Sequence, residues 1–141
     1  MDKKNLVKKQ VVFSRLTDDE LEKLSQLFNE QTYTPGKIVV KEGDSVDSVY
    51  LIVAGQANVQ HDFVKDNAIQ TESLAVLKDG DAIGLNDTGF YSLSGKRTAT
   101  VMALTELKVL RLSMAEFHGF SLAYPHVNEV MRQNAVIQNI K

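Results

Sequence analysis

Apolar positions along the chain fall into three regimes. Behind Thr17-Asp18-Asp19-Glu20, the residues Leu21, Leu24, Leu27 and Phe28 recur at helical spacing, which predicts an amphipathic helix over residues 18–29. Thr17 and Glu20 have the spacing of a capping box, in which each side chain answers the other's free backbone N–H. Pro35-Gly36 predicts a type II turn, with proline setting the first corner and glycine supplying a positive φ. Beyond it the period shortens. Lys37–Lys41, Ser48–Val53 and Gln56–His61 read as short strands, separated by Glu42-Gly43-Asp44 and by Ala54-Gly55. Asp62–Asn67 reads as a polar excursion before a strand near Thr71–Leu77, and β-rich runs return at Arg97–Leu104 and Glu106–Ser113. So many short strands, each closed by a turn, point to a sandwich or a jelly-roll barrel. The helical period then resumes. Ser113 is an N-cap, and Pro125 opens a last helix carrying Val127, Val130, Met131, Ala135, Val136, Ile137 and Ile140.

Composition narrows the classes. At 141 residues, 43% hydrophobic and 24% charged, the chain reads as one domain with room for a real core. A net charge of −2 offers no basic face for nucleic acid. The absence of cysteine removes disulfides and thiolate metal sites. No apolar run reaches the roughly 20 residues of a membrane helix, and the N-terminus lacks the apolar core of a signal peptide. The expected compartment is the cytoplasm. Lys3, Lys4, Lys8 and Lys9 stand among Leu6, Val7, Val11, Val12 and Phe13. That stretch reads as a solvated face, with an anionic membrane surface as the alternative.

The chemistry concentrates between Lys78 and Ala103. The segment opens on Gly80-Asp81, reaches Gly84, crosses a polar, glycine-bearing stretch and arrives at Arg97. A glycine lets backbone approach a ligand, polar residues can start a short helix whose free N–H groups face negative charge, and a guanidinium stands nearby. Arginine suits phosphate because its fork donates two parallel hydrogen bonds and keeps its charge. The same residues also describe an irregular surface loop with an exposed arginine.

The order and spacing of four marks carry a resemblance. They are Val12-Phe13-Ser14-Arg15-Leu16, Glu42-Gly43-Asp44, Asp47–Gly55 and Arg97-Thr98-Ala99-Thr100-Val101. Together the chain resembles the cyclic-nucleotide-binding domain from about Val12 to Met131. The resemblance implies a mainly β fold with flanking helices: an eight-stranded jelly-roll barrel over residues 30–113, with a phosphate-binding cassette at 80–99. A helical region over 1–29 precedes the barrel and C-terminal helices over 114–141 follow it, all within a single domain. It implies a regulatory module that binds cAMP or cGMP and relays binding by moving its terminal helices, with no catalysis, metal or other cofactor. Gly84 matches the cassette glycine, Arg97 the arginine that grips the cyclic phosphate, and Thr98 and Ala99 the small residues after it. A threonine at that place is common in cGMP-preferring members.

The sequence also departs from the family pattern. Where the family usually places a glutamate for the ribose 2′-hydroxyl, this chain has Leu85, and Asn86 or Asp87 can substitute only if the backbone shifts. The interval from Gly84 to Arg97 is also longer than the commonest spacing. A different class of function is therefore a degenerate domain that has lost its nucleotide and serves as a protein interaction module. A cupin-like metal enzyme is excluded by its need for clustered histidines, since only His61, His118 and His126 exist. These residues include no DNA-reading element, so the expectation is either an output passed to an unidentified downstream protein or a fragment of a longer protein. Apolar residues on two faces of the helix over 125–140 predict a homodimer through it.

Overall fold

The computed structural model describes residues 2–86, 89–90 and 95–130. Helix α1 (Lys3–Lys8) and a 3₁₀ turn (Val11–Phe13) lead into α2 (Asp18–Leu27). Thr17 Oγ1 accepts from the Glu20 N–H at 3.2 Å and Glu20 Oε1 accepts from the Thr17 N–H at 2.7 Å, so the capping box forms as its spacing predicts. The N-terminal stretch departs from the solvated face expected of it. Val7, Val12 and Phe13 are fully buried; Lys8 and Lys9 are exposed, while Lys3 Nζ donates to the Phe28 carbonyl at 2.9 Å and Lys4 pairs with Asp18 at 2.6 Å. Burying a large apolar side chain is worth about 1.5–3 kcal/mol, enough to decide which face turns inward.

Among the described residues ten strands come next: β1 (Asn29–Tyr33), β2 (Ile38–Val40), β3 (Ser48–Ala54), β4 (Ala57–Lys65), β5 (Ala68–Leu77), β6 (Ala82–Ile83), β7 (Leu85–Asn86), β8 (Gly89–Phe90), β9 (Thr100–Ala103) and β10 (Leu107–Ser113). The chain then enters α3 (Met114–Ala123), capped by Ser113 and Glu116, and a further helix, α4, over 125–130. One antiparallel sheet has the order β1-β10-β3-β6, a second has β2-β9-β4-β5, and β7-β8 form a separate hairpin. The mainly β architecture with flanking helices is as expected, but the eight-stranded barrel is not closed. No strand pairing among the described residues joins the two four-stranded sheets. The strands that would have to bridge them are too short: β6 has two residues, and β2 has three with a register shift.

The first sheet separates two cores. Val49 and Leu51 of β3, with Leu110 and Leu112 of β10, pack on the helices beside Phe13, Leu24 and Phe28. The alternate residues Tyr50, Ile52, Leu107 and Val109 face the second sheet, where they meet Val40 and Val101. Both faces of β3 are covered, so its sequence reads as an unbroken apolar run instead of an alternation. Val127 and Val130 of α4 are buried in the helix-side core. Met131, Ala135, Val136, Ile137 and Ile140 lie outside the described residues.

Two expectations about strands and turns meet different outcomes. The polar stretch 62–67 is not an excursion: β4 runs on to Lys65, turns through Asp66 and Asn67, both at positive φ (54° and 62°), and returns as β5. Two consecutive left-handed residues make the tight turn that suits the twist of a hairpin. At Pro35-Gly36 the predicted type II turn forms: the Lys37 N–H donates to the Thr34 carbonyl at 3.1 Å, with Gly36 at φ 88°.

Candidate functional site

Arg97 sits just ahead of β9 and not inside a strand. Its backbone is fixed from both directions. The Arg97 N–H donates to the Asp44 carbonyl at 2.7 Å, and its own carbonyl accepts from the Gly43 N–H at 2.9 Å. The Val46 N–H donates to the Gly95 carbonyl at 2.8 Å, beside a bridge between Ser45 and Lys96. The turn at Glu42-Gly43-Asp44 thus clamps the arginine's main chain.

The side chain points inward, with the residue 7% exposed. Nη2 donates to the Ser48 carbonyl at the head of β3, at 2.7 Å. The guanidinium carbon lies 6.0 Å from the centre of the Tyr50 ring, at the limit of a cation–π contact. Asp47 brings one carboxylate oxygen to 3.9 Å from Arg97 and the other to 3.8 Å from Arg111, and it accepts from the Ser48 hydroxyl at 2.8 Å. Burial pushes the Arg97 pKa down from its ordinary value, while Tyr50 and Asp47 oppose the fall. An arginine starts so far above neutrality that it stays charged. The result is a desolvated permanent cation held on a backbone carbonyl, with one exposed carboxylate nearby.

Gly84 lies directly against that cation. It has φ 82°, and a Cβ there would stand 2.7 Å from Arg97 Nη1 and 3.4 Å from the Ser48 carbonyl oxygen. Any side chain at this position would take the space of the guanidinium. The two residues border a cavity of about 420 Å³. Its walls are aliphatic: Val40 and Val101 from the second sheet, Val59, Leu74 and Leu77 from the β4–β5 hairpin, and Ile83 from β6. Leu85, Thr98 and Ala99 complete the rim, Thr98 exposed and the other two half-buried. Chemically, the cavity can hold an anion attached to an apolar body of ring size.

Gly84, Leu85, Arg97, Thr98 and Ala99 all line one cavity. Asn86 belongs to β7, and Asp87 lies outside the described residues. In place of the short helix expected after Gly84, the chain forms a hairpin: Leu85 pairs with Phe90 and Asn86 with Gly89. Pairing uses backbone groups across the hairpin that a helix start would have left free for an anion. Asp47, Ser48 and Tyr50 are site residues that sequence reasoning passed over. A carbonyl acceptor such as that of Ser48 has no residue-type signature. Among the described residues no group of three or more His, Asp or Glu could hold a metal ion, and no helix is long and apolar enough to cross a membrane.

Known proteins bear on this geometry. The family model described as "Cyclic nucleotide-binding domain" matches residues 30–124. A cAMP-dependent protein kinase regulatory subunit of Pyricularia oryzae is 31% identical over 117 residues, covering 80% of this chain and 27% of that protein. The chain thus spans about a quarter of the length of that relative. Among solved structures, the N-terminal domain of a transcriptional regulator from Streptomyces coelicolor superimposes with a TM-score of 0.78 at 25% identity, covering 96% of this chain and 90% of that one. A cAMP-bound chain of PfPKA-R superimposes with a TM-score of 0.71 at 25% identity, covering 84% and 40%.

Proposed function

This chain belongs to the cyclic nucleotide-binding domain family, and from that premise we propose that it is a regulatory module taking cAMP or cGMP into the cavity beside Arg97. The observation that carries this reading is the guanidinium itself, charged and 7% exposed, standing against the open backbone of Gly84 at the edge of an aliphatic cavity. The phosphate takes the free donors of Arg97 and the backbone at Gly84, the ribose lies toward Leu85, and Thr98 and Ala99 border the ring system. The kinship with cAMP-dependent kinase regulatory subunits favours cAMP, while the hydroxyl of Thr98 favours cGMP. Binding is relayed through Ser48, which joins the Arg97 site to the helix-side core by way of Val49. The terminal helices then move against that core, and the output goes to a separate protein or to a second copy through the last helix.

Calorimetric titration with each nucleotide tests this on the full chain and on Arg97→Ala. The wild type binds one of them, and the variant loses most of the affinity while melting as a folded protein. Equal dissociation constants for the two proteins would refute the role given to Arg97. A second reading is favoured by Leu85, an aliphatic residue on the cavity rim: the domain keeps the fold without the nucleotide and acts as an interaction module. No heat with either nucleotide would select it.

A further inference from the structure

We propose that the outer edge of β5 is a pairing surface for a second copy of this chain, joined antiparallel about Thr71. Such pairing is independent of what the cavity binds. The edge of a sheet presents a row of backbone groups that recruits other chains unless it is blunted. Of the edges of the two four-stranded sheets, three are blunted. β6 has two residues, and β2 has three with a register shift. β1 is a polar run whose Glu30 pairs with Lys108 at 3.3 Å. β5 is different: it is ten residues long and carries a single charge, Glu72, with neither lysine nor proline. Residues 68–76 are all exposed. Ile69 is 76% exposed beside its cross-strand partner Val64 at 74%.

The hairpin turn fixes where the backbone groups of β5 point. Asp66 and Asn67 close a two-residue loop between Lys65 and Ala68. In such a hairpin the flanking pair is hydrogen-bonded, and bonded and non-bonded pairs alternate from there. Phe63–Gln70 and His61–Glu72 are then bonded pairs, whereas Val64–Ile69 and Asp62–Thr71 turn their N–H and C=O groups away from the hairpin. On the β4 side this phase is visible directly, because the Asp62 N–H donates to Glu42 Oε1 at 3.3 Å. On the β5 side, Ile69, Thr71 and Ser73 accordingly present their groups to the open edge. That row is self-complementary. With Thr71 opposite Thr71 of the second copy, Ile69 stands opposite Ser73 and Gln70 opposite Glu72, and the two-fold axis repeats each pair. An amide thus meets a carboxylate on both sides of the axis, and no like charges are opposed. The register shift beyond Ser73 ends the straight run, so the seam is confined to the residues around Thr71.

Cysteine placement on the full chain tests this register, because the chain has no cysteine of its own. Thr71→Cys puts two sulfurs at the axis, where bonded cross-strand Cα atoms stand about 5.5 Å apart, within disulfide reach. Ser73→Cys is equally exposed but lies roughly 13 Å from its counterpart, too far to bridge. Under mild oxidation Thr71→Cys becomes a covalent dimer on a non-reducing gel, and Ser73→Cys stays monomeric. In sedimentation the wild type dimerises as its concentration rises. Ile69→Lys puts a charge on the edge, and Thr71→Pro removes an outward N–H without touching the β4 ladder. Both sediment as monomers while melting as folded proteins; if Thr71→Pro does not fold, Ile69→Lys decides. A wild type that stays monomeric at high concentration overturns the proposal. So does a dimer that survives Ile69→Lys, or equal cross-linking of the two cysteine variants.

Discussion

Replacing Gly84 by alanine separates two properties that usually travel together. The backbone at this position has φ 82°, and an L-residue there costs roughly 1–2 kcal/mol. Unfolding entropy of about 2.1 cal/mol/K per residue over 141 residues converts that into a melting temperature lower by about 3–7 °C. The new methyl would also stand 2.7 Å from Arg97 Nη1, too close for any real contact. The guanidinium is the far end of a flexible chain, so it yields first and leaves the position that faces the cavity. One lost charged hydrogen bond is worth about 1.5–3 kcal/mol, or roughly ten- to a hundred-fold in ligand affinity. Gly36→Ala is the control. It has φ 88° with nothing within 4 Å of its added Cβ, so it carries the backbone cost alone. Melting curves and calorimetric titration on both variants give the comparison. Similar losses of stability, with affinity reduced only in Gly84→Ala, are expected. A Gly84→Ala protein that binds as tightly as Gly36→Ala would show that the guanidinium does not serve the ligand from where it stands.

The helices supply further tests. Glu20 is 5% exposed and faces His126 at 2.9 Å through both oxygens. Burial alone would raise its pKa, but the hydrogen bonds from Thr17 and His126 outweigh this and hold it below the ordinary 4.5. A depressed carboxyl contributes stability that is complete above 4.5 and lost as pH falls through the lower folded value. Urea titrations from pH 7 to 3 therefore show a shallower acid decline in Glu20→Gln than in wild type; parallel curves would remove Glu20 from the account. Thr17→Ala and Ser113→Ala each remove a capping-box oxygen and each lower stability by about 1 kcal/mol, read from denaturant midpoints at constant slope. A change below a few tenths would mean that the helix starts are held by packing alone.

Parts of the fold were legible in the chain because their signals were local: Thr17 and Glu20 announce their helix by spacing, and Pro35-Gly36 its turn. Gly84 and Arg97 stood out only through the resemblance to a family, since locally they describe a surface loop equally well. What was missed depends on partners far away in sequence. Val7, Val12 and Phe13 look like the apolar side of a basic peptide until α2 and β3 supply a surface to cover them. Strand β1 is the polar run Asn-Glu-Gln-Thr-Tyr, without any strand-like alternation of apolar residues. Only the backbone of β10 makes it a strand. The β4–β5 turn was hidden because Asp66 and Asn67 are polar residues, which suit a loop as well as a left-handed hairpin corner. The cassette hairpin was hidden because Leu85 and Asn86 say nothing about pairing with Gly89 and Phe90.

The pairing of β1 with β10 has a consequence in time. Asn29 through Tyr33 find their partners at Arg111 through Leu107, about 80 residues later in the chain. Synthesis at about 5–20 residues per second leaves β1 outside the ribosome for roughly 4–16 s before its partner exists. During that wait it is an open strand edge, the kind of surface on which nascent chains stick together. Meanwhile the β4–β5 hairpin, closed by two residues, can form within microseconds of its emergence. The polar sequence of β1 is the composition that keeps a waiting edge from recruiting the wrong neighbour. Replacing Glu30 and Thr32 with valine would cost little in the finished sheet, where both are exposed, and would be felt instead as aggregation during expression.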